Sequence, residues 1–416
     1  MSKIEVEGMH RLKGEITIQG SKNAVLPILS ACVLNEGETI LHGCPKIGDV
    51  SSMLEALEAS GAKVRWEEHT LVIDTSDMQP QPLIEKAGCM RSSVMFLGSF
   101  LGRFGRATLG YPGGCCIGKR PIDLHEQVLS SMGAIFCEET YFLEARCQCL
   151  EGCDLYLPYP SVGVTENILL AAAKASGITR IFGAAREPEI EELCNFLIRM
   201  GVKISGTGTG KLTIQGGDLN KRVEYEICTD RIVAGTYVFA VLGAGGEVTL
   251  KNAPMKHMKS TIQLAGKLGA KLYRSGLDMK ISMHEDVRGI PYLRTAPYPG
   301  FPTDLQSPLV AVLCKAKEES RIEERIFENR FLMVEELRKM GANIEVQEQT
   351  ARIYPAEQLF GAEVKAMDLR GGAALVAAAL SAEGISTIHQ TEVISRGYED
   401  IIRDFEKTGA RIRRID

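Results

Sequence analysis

The sequence predicts an α/β protein of two domains, assembled from one supersecondary unit used six times. The first observation behind this is a spacing. Gly61, Gly133, Gly201, Gly269, Gly341 and Gly409 each close a helix-like stretch, precede a small or aliphatic residue and lead into a strand, at intervals of 72, 68, 68, 72 and 68 residues. A period held along the whole chain marks a repeated structural unit. The second is an apolar helix in every unit: AVLPILSACVL, SSVMFLGSFLG, NILLAAAKAS, AGTYVFAVLG, SPLVAVLCKA and ALVAAALSA. These are hydrophobic nearly all round, so they belong inside a domain. The third is a mismatch at the ends. The last unit stops at GARIRRID with no strand after it, while the N-terminus supplies a strand without a unit, EITIQG (Glu15 to Gly20).

Within a unit the elements follow in order. The buried helix is followed by Gly and a short alternating strand (GETIL, GRATL, GITRI, GEVTL, GISTI), then by the helix that ends at Gly-Ala, which is more polar on one side and forms an outer layer. A further strand follows, as in TLVIDTS or KLTIQGG. EITIQG resembles KLTIQG at Lys211, so the first strand is expected to complete the last unit. This places residues 22–228 in one domain of three units, and residues 1–21 with 229–416 in the other. The chain then crosses twice between domains, which favours a hinge and a cleft.

Composition narrows the function. The 416 residues are 45% hydrophobic and 24% charged, which is ample core for two ordinary globular domains. A net charge of −5 argues against a general nucleic-acid binder. The start, MSKIEVEGMHRLKG, has no apolar core of a signal peptide, and no apolar run reaches the ~18 residues of a membrane span. A cytoplasmic protein is expected. Most of the 12 cysteines lie in apolar segments (Cys32, Cys137, Cys194, Cys228, Cys314) and read as buried thiols. Cys147, Cys149 and Cys153 lack a neighbouring His, with the first two read as alternate residues of a strand, so no metal site is expected.

The unlike residues sit just before each buried helix. They are Lys22 and Asn23 in GSKNA, Arg91 in MRSS, Ser161 to Gly163 in PSVG, Asp230 and Arg231 in TDRI, Asp304 in FPTDLQS, and Asp368 and Arg370 in DLRGG. Helix N-termini offer unpaired N–H groups and a positive dipole end, so helix starts dressed with Lys22, Arg91, Arg231 and Arg370 describe an anion site. Asp304 reads as an N-cap, a general base, or both. Arg330 in FENR and Arg396 in SRGYED extend the basic set. The largest break in the repeat is YPGGCCIGKRPIDLH, residues 111–125. There Cys115 and Cys116 stand near Gly118, Lys119 and Arg120, where a thiolate would be favoured. The residues alone do not choose between the two thiols. His125 reads as a structural donor or as a general acid or base.

Together, GSKNA, PGGC, RPIDLH, PSVG, AAREPEI, PGFPTDLQ, IFENR, DLRGGAAL and RGYE resemble the UDP-N-acetylglucosamine enolpyruvyl transferases, in order, from Lys22 to Glu399. The resemblance implies a two-domain inside-out α/β barrel of six βαβαββ units. It also implies transfer of the enolpyruvyl group of phosphoenolpyruvate to UDP-N-acetylglucosamine without metal or cofactor, in the first committed step of peptidoglycan synthesis. By that resemblance Cys115 protonates C3 of phosphoenolpyruvate, Asp304 takes or orients the proton of the sugar hydroxyl, and Lys22, Arg120 and Arg396 grip phosphoenolpyruvate. Arg91, Arg330 and Arg370 line the same pocket, with Asp368 among the substrate-binding residues. Asn23 and Asp304 hold the sugar. Arg120, Pro121, Ile122, Asp123, Leu124, Ser161, Val162, Gly163 and Ile326 resemble the nucleotide side, and the Cys115 loop a lid.

Three features depart from the family pattern: Cys116 follows the reactive position, Tyr159 and Pro160 precede SVG where some members have Lys, and EVIS precedes Arg396. The alternatives are the sister enzyme acting on shikimate 3-phosphate, an inactive sugar-nucleotide sensor, or a cysteine hydrolase, for which no positioned base is evident beyond His125. Fosfomycin is expected to alkylate Cys115, and Cys115→Asp to remain active yet resist the drug; peptide mapping that finds the adduct on Cys116 would reverse that choice of thiol.

Overall fold

The computed structural model describes residues 2–84, 91–111, 113, 117–118 and 121–415. The chain divides into two compact units. One comprises Met1–Gln19, Cys116–Lys119 and Thr229–Asp416; the other comprises Gly20–Cys115 and Arg120–Cys228. Each has its own hydrophobic core. Among the described residues no helix is long and apolar enough to cross a membrane.

The spaced glycines have a common conformation. Gly61, Gly133, Gly201, Gly269, Gly341 and Gly409 all have positive φ, between +79° and +111°. In each case the next residue's N–H reaches back five positions to a helix carbonyl, as in Ala62 N to Leu57 O at 3.0 Å and Val202 N to Leu197 O at 3.0 Å. This is the Schellman turn. It needs a residue without Cβ at the left-handed position and tucks an apolar residue after it against the helix. The 68- and 72-residue spacing is therefore six copies of one helix stop.

Among the described residues six sheets form, five of four strands and one of three. In the third unit, Ile178–Phe182 is flanked by antiparallel Lys211–Gln215, itself paired with Lys203–Ser205, and on the other side by parallel Asp154–Tyr156. The last unit repeats this with Ile385–His389 in the centre, Glu363–Lys365 parallel, and Arg411–Ile415 outermost. The missing strand is indeed supplied by the N-terminus, but by Lys3–Glu7, which pairs antiparallel with both neighbours. The strand that takes in the start of EITIQG, Leu12–Thr17, is instead the parallel edge of the fourth sheet, beside Gly246–Lys251. Its counterpart, Arg222–Glu226, is the parallel edge of the first sheet. Similarity of letters between EITIQG and KLTIQG reflects a common alternating pattern, which is blind to parallel or antiparallel pairing.

The six buried helices are α1 (Lys22–Cys32), α2 (Phe96–Phe104), α3 (Val162–Ala172), α4 (Arg231–Ala244), α5 (Gln306–Leu313) and α6 (Leu369–Ser381). They run parallel within each unit. Lys315, just past α5, donates to Gly243 O of α4 at 3.3 Å and to Ser381 O of α6 at 3.5 Å, so the three C-termini meet. In the other unit Arg103 of α2 donates to Val33 O and Asn35 O at the end of α1, at 2.9 and 3.1 Å. Gly98 and Gly102 of α2 lie against Asn167 and Leu170 of α3 in the same order, the sign of parallel packing. Small residues permit this approach.

Two expectations for cysteine change. Cys32, Cys194 and Cys314 are buried, but Cys137 is exposed and Cys228 only partly covered. Cys137 sits on the short strand Ile135–Glu138 at the edge of the three-stranded sheet. Cys147 and Cys149 follow the strand Phe142–Arg146 and are not in it. Lys315→Met keeps the aliphatic stem and removes the shared cation, so two helix ends lose a charged donor. Destabilisation of about 1.5–3 kcal/mol is expected in urea unfolding. An unchanged midpoint would mean that water serves these carbonyls equally well.

Candidate active site

In the unit that holds both termini, the three helix starts carry carboxylates. Asp230 caps α4, its Oδ1 accepting from Ile232 N at 2.8 Å and Val233 N at 3.0 Å. Asp368 caps α6 in the same way through Arg370 N and Gly371 N, both at 3.0 Å, while its other oxygen is buried with no partner among the described residues. Three parallel positive dipole ends favour these anions. Asp304 lies in the 3-10 turn Thr303–Leu305 before α5, and here the capping expectation fails. The positions that begin the turn and the helix are Pro302 and Leu305, without side-chain caps.

The Asp304 carboxylate is instead held between two guanidinium groups. Arg330 Nη2 donates to Oδ1 at 2.7 Å and Arg370 Nη2 to Oδ2 at 3.1 Å. Both arginines are 3% exposed, against 26% for the Asp304 side chain. Arg370 is also hydrogen-bonded to Tyr398 Oη at 3.3 Å and faces its ring, and Tyr398 Oη meets Thr236 Oγ1 at 2.8 Å. Burial works against the Arg370 charge, but the negative charges of Asp304 and Asp230 and the Tyr398 hydroxyl outweigh it and hold its pKa above the usual value. Arg330 faces the Phe327 ring, and its Nε is buried with no hydrogen-bond partner among the described residues. Arg231, nearly buried, lies against Tyr298. Arg396 ends the 3-10 helix Thr391–Arg396 and is half-buried, while Ile326 is exposed. Of the Cys115 loop, residues 111, 113, 117–118 and 121–125 are described. The Ile117 carbonyl accepts from Asn329 N at 2.9 Å, and Gly118 lies against Glu328.

The other unit treats its helix starts differently. α1 and α3 begin after Ser21 and Ser161, with no side-chain cap and no acidic residue in the first turn. Lys22, first in α1, is paired with Asp49 at 2.7 Å, and both are largely buried. Asp49 heads the helix Gly48–Ala59 and was not among the expected residues; GDVSS carries no signal of its partner. Asn23 follows Lys22 in α1. Arg91 opens the 3-10 turn Arg91–Met95 ahead of α2, its Nη2 donating to Pro121 O at 3.1 Å. This joins one helix start to the Pro121–Leu124 segment. Pro121 and Asp123 are exposed and Ile122 half-buried, but the Leu124 side chain is in the core, so only its backbone can meet a ligand.

Ser161, Val162 and Gly163 form the partly exposed start of α3, with the His125 ring against Gly163. Asn167 takes Gly98 N–H on its oxygen at 2.8 Å, and its amide nitrogen reaches Val94 O at 2.9 Å and His125 Nδ1 at 2.8 Å. The amide is thus a donor to Nδ1, which puts the ring proton on Nε2 in neutral His125, on the side of the α3 start. Buried His125 is therefore an acceptor at Nδ1, where a structural donor was one expectation. Cys115, Cys116, Lys119 and Arg120 lie outside the described residues.

Asp304→Ala would leave two buried guanidinium groups facing each other without their carboxylate. A loss of about 3–5 kcal/mol is expected in denaturant unfolding, partly recovered in phosphate buffer. A loss below about 0.5 kcal/mol would show the pair to be a surface-type interaction.

Comparison with known proteins extends the likeness over the chain. The EPSP synthase (3-phosphoshikimate 1-carboxyvinyltransferase) family matches residues 6–405. UDP-N-acetylglucosamine 1-carboxyvinyltransferase 2 of Caldanaerobacter subterraneus subsp. tengcongensis is 43% identical, with 100% of each chain covered. The protein named UDP-N-acetylglucosamine 1-carboxyvinyltransferase in Halothermothrix orenii is 41% identical over the same full coverage. Among solved structures, the enolpyruvyl transferase NikO from Streptomyces tendae superposes with a TM-score of 0.90 at 22% identity, covering 99% of each chain. An EPSP synthase of Acinetobacter baumannii gives 0.76 at 19% identity over 100% of each. These two show the fold, the enolpyruvyl transferase α/β architecture.

Proposed function

Because the chain belongs to the EPSP synthase family, and within it to the UDP-N-acetylglucosamine 1-carboxyvinyltransferases, we propose that it transfers the enolpyruvyl group of phosphoenolpyruvate to the 3′-hydroxyl of UDP-N-acetylglucosamine. Phosphate is released. The product enters peptidoglycan synthesis, and the reaction belongs to the cytoplasm. The family profile bears the name of the shikimate enzyme; the choice of acceptor rests on the 43% and 41% identical full-length relatives.

The observation that supports this chemistry best is Asp304 between Arg330 and Arg370. Two guanidinium groups fix the carboxylate while its side chain stays 26% exposed, which suits it to meet the acceptor hydroxyl. As the sugar oxygen bonds to C2 of phosphoenolpyruvate, its proton passes to Asp304 and Cys115 delivers a proton to C3. The tetrahedral adduct then loses phosphate from C2 and a proton from C3, restoring the double bond. Lys22, Arg120 and Arg396 hold the phosphoenolpyruvate anion through charge-assisted hydrogen bonds, and Arg91 adds to this basic set. The uncapped starts of α1 and α3 offer backbone N–H groups to phosphate oxygens, and Asn23 and Asp368 offer polar groups to the sugar. Arg120 to Leu124, Ser161 to Gly163 and Ile326 take the nucleotide, and the Cys115 loop excludes water as a lid.

Purified protein is expected to release phosphate when phosphoenolpyruvate and UDP-N-acetylglucosamine are both present, and with neither alone. Release with shikimate 3-phosphate as the acceptor would move the assignment to the sister activity. Silence with both acceptors, with sugar-nucleotide binding retained, would make the protein a sensor.

A further inference from the structure

Glu324 has no exposed surface, and nothing in the charged run EESRIEER marks it out from its neighbours. It lies between the strand Ser320–Glu323 and the turn leading to Arg330. Its Oε1 accepts from Thr295 Oγ1 at 2.9 Å and from the N–H groups of Ile326 and Phe327 at 2.8 and 3.2 Å. Its Oε2 accepts from Thr303 Oγ1 at 3.0 Å. All four donors are neutral. A buried carboxylate is costly, and it persists where fixed donors replace its water.

These four bonds join three separate segments: the end of an edge strand at Thr295, the residue before Asp304, and the turn before Arg330. Thr303 is held from two sides. Its hydroxyl goes to Glu324, while its carbonyl accepts from Arg330 Nη2 at 3.5 Å, the same nitrogen that binds Asp304. Segments that would otherwise drift independently are thus referred to one carboxylate.

We propose that Glu324 is a positioning residue for Asp304: through Thr303 and the 326–327 turn it sets where the Asp304 carboxylate stands relative to Arg330. This rests on the transferase reading above. It follows that Glu324 acts on the step in which the acceptor hydroxyl is aligned and deprotonated, not on capture of phosphoenolpyruvate. Misplacement of a reacting group by about 1 Å can cost on the order of 100-fold in rate.

The decisive variant is Thr303→Val, which keeps the branched shape and removes the hydroxyl. With saturating substrates, kcat is expected to fall at least about tenfold while the KM for phosphoenolpyruvate stays within about twofold, and Thr303→Ser restores kcat to within about twofold of wild type. A Thr303→Val enzyme with wild-type kcat, even one that melts earlier, would overturn the proposal, since a merely structural bond affects melting and not turnover. Should that variant not fold, Glu324→Gln serves the same test. It fills the same volume but turns an N–H2 group toward Thr303, and the same split between kcat and KM is expected. Wild-type kcat in Glu324→Gln would overturn the proposal. Wild-type protein lacking two-substrate phosphate release would overturn the transferase reading itself, a distinct outcome.

Discussion

Parallel packing of three buried helices is the constraint on which each unit depends. Parallel helices place like dipole ends together, on the order of half a positive charge at each N-terminus and half a negative charge at each C-terminus. In a low-dielectric core such ends repel unless something opposite in charge stands beside them. At the C-terminal ends the answer is a cation from the neighbouring helix or its end: Lys315 spans the ends of α4 and α6, and Arg103 the end of α1. Burial lowers the pKa of both, the cost of placing a cation where helix carbonyls need it.

At the N-terminal ends the two units differ, and their chemistry differs with them. Where Asp230 and Asp368 cap their helices, the positive ends are already neutralised, and the surplus carboxylate, Asp304, is available to work against two buried arginines. Where α1 and α3 begin after serines without acidic residues, the positive ends remain receptive to phosphate. One architecture thus has carboxylates capping its helix starts in one unit and helix starts without acidic residues in the other. The connected set Asp304, Arg370, Tyr398 and Thr236 shows how little freedom the first arrangement leaves. Each of the four side chains is hydrogen-bonded to another of the set, and a buried network of this kind is costly to disturb at any member.

Much of the fold was legible because it rests on local rules. The six glycines announced six helix stops because only Gly tolerates the left-handed position without strain, and the apolar helices announced their burial by composition. The candidate site was legible as positions, since unlike residues at equivalent helix starts stood out against the repeat. It was not legible as contacts. Asp304 read as a cap, a general base or both from its place before a helix, but nothing local showed that Arg330 and Arg370, 26 and 66 residues further on, take its oxygens. Asp49 and Glu324 gave no signal because each depends on partners that come close only once the chain has folded.

The sequence by itself determined the number of units, the buried helices, the helix stops and the family resemblance, all of which follow from local spacing and residue type. Tertiary structure alone decided the pairing. It assigned Lys3–Glu7 to the last sheet and Leu12–Thr17 to the fourth, joined Lys22 to Asp49, and placed Asp304 between two arginines. The reason is physical. Alternation and helix propensity act over a few residues, but strand partners and buried charge pairs are chosen by which surfaces meet when the core closes.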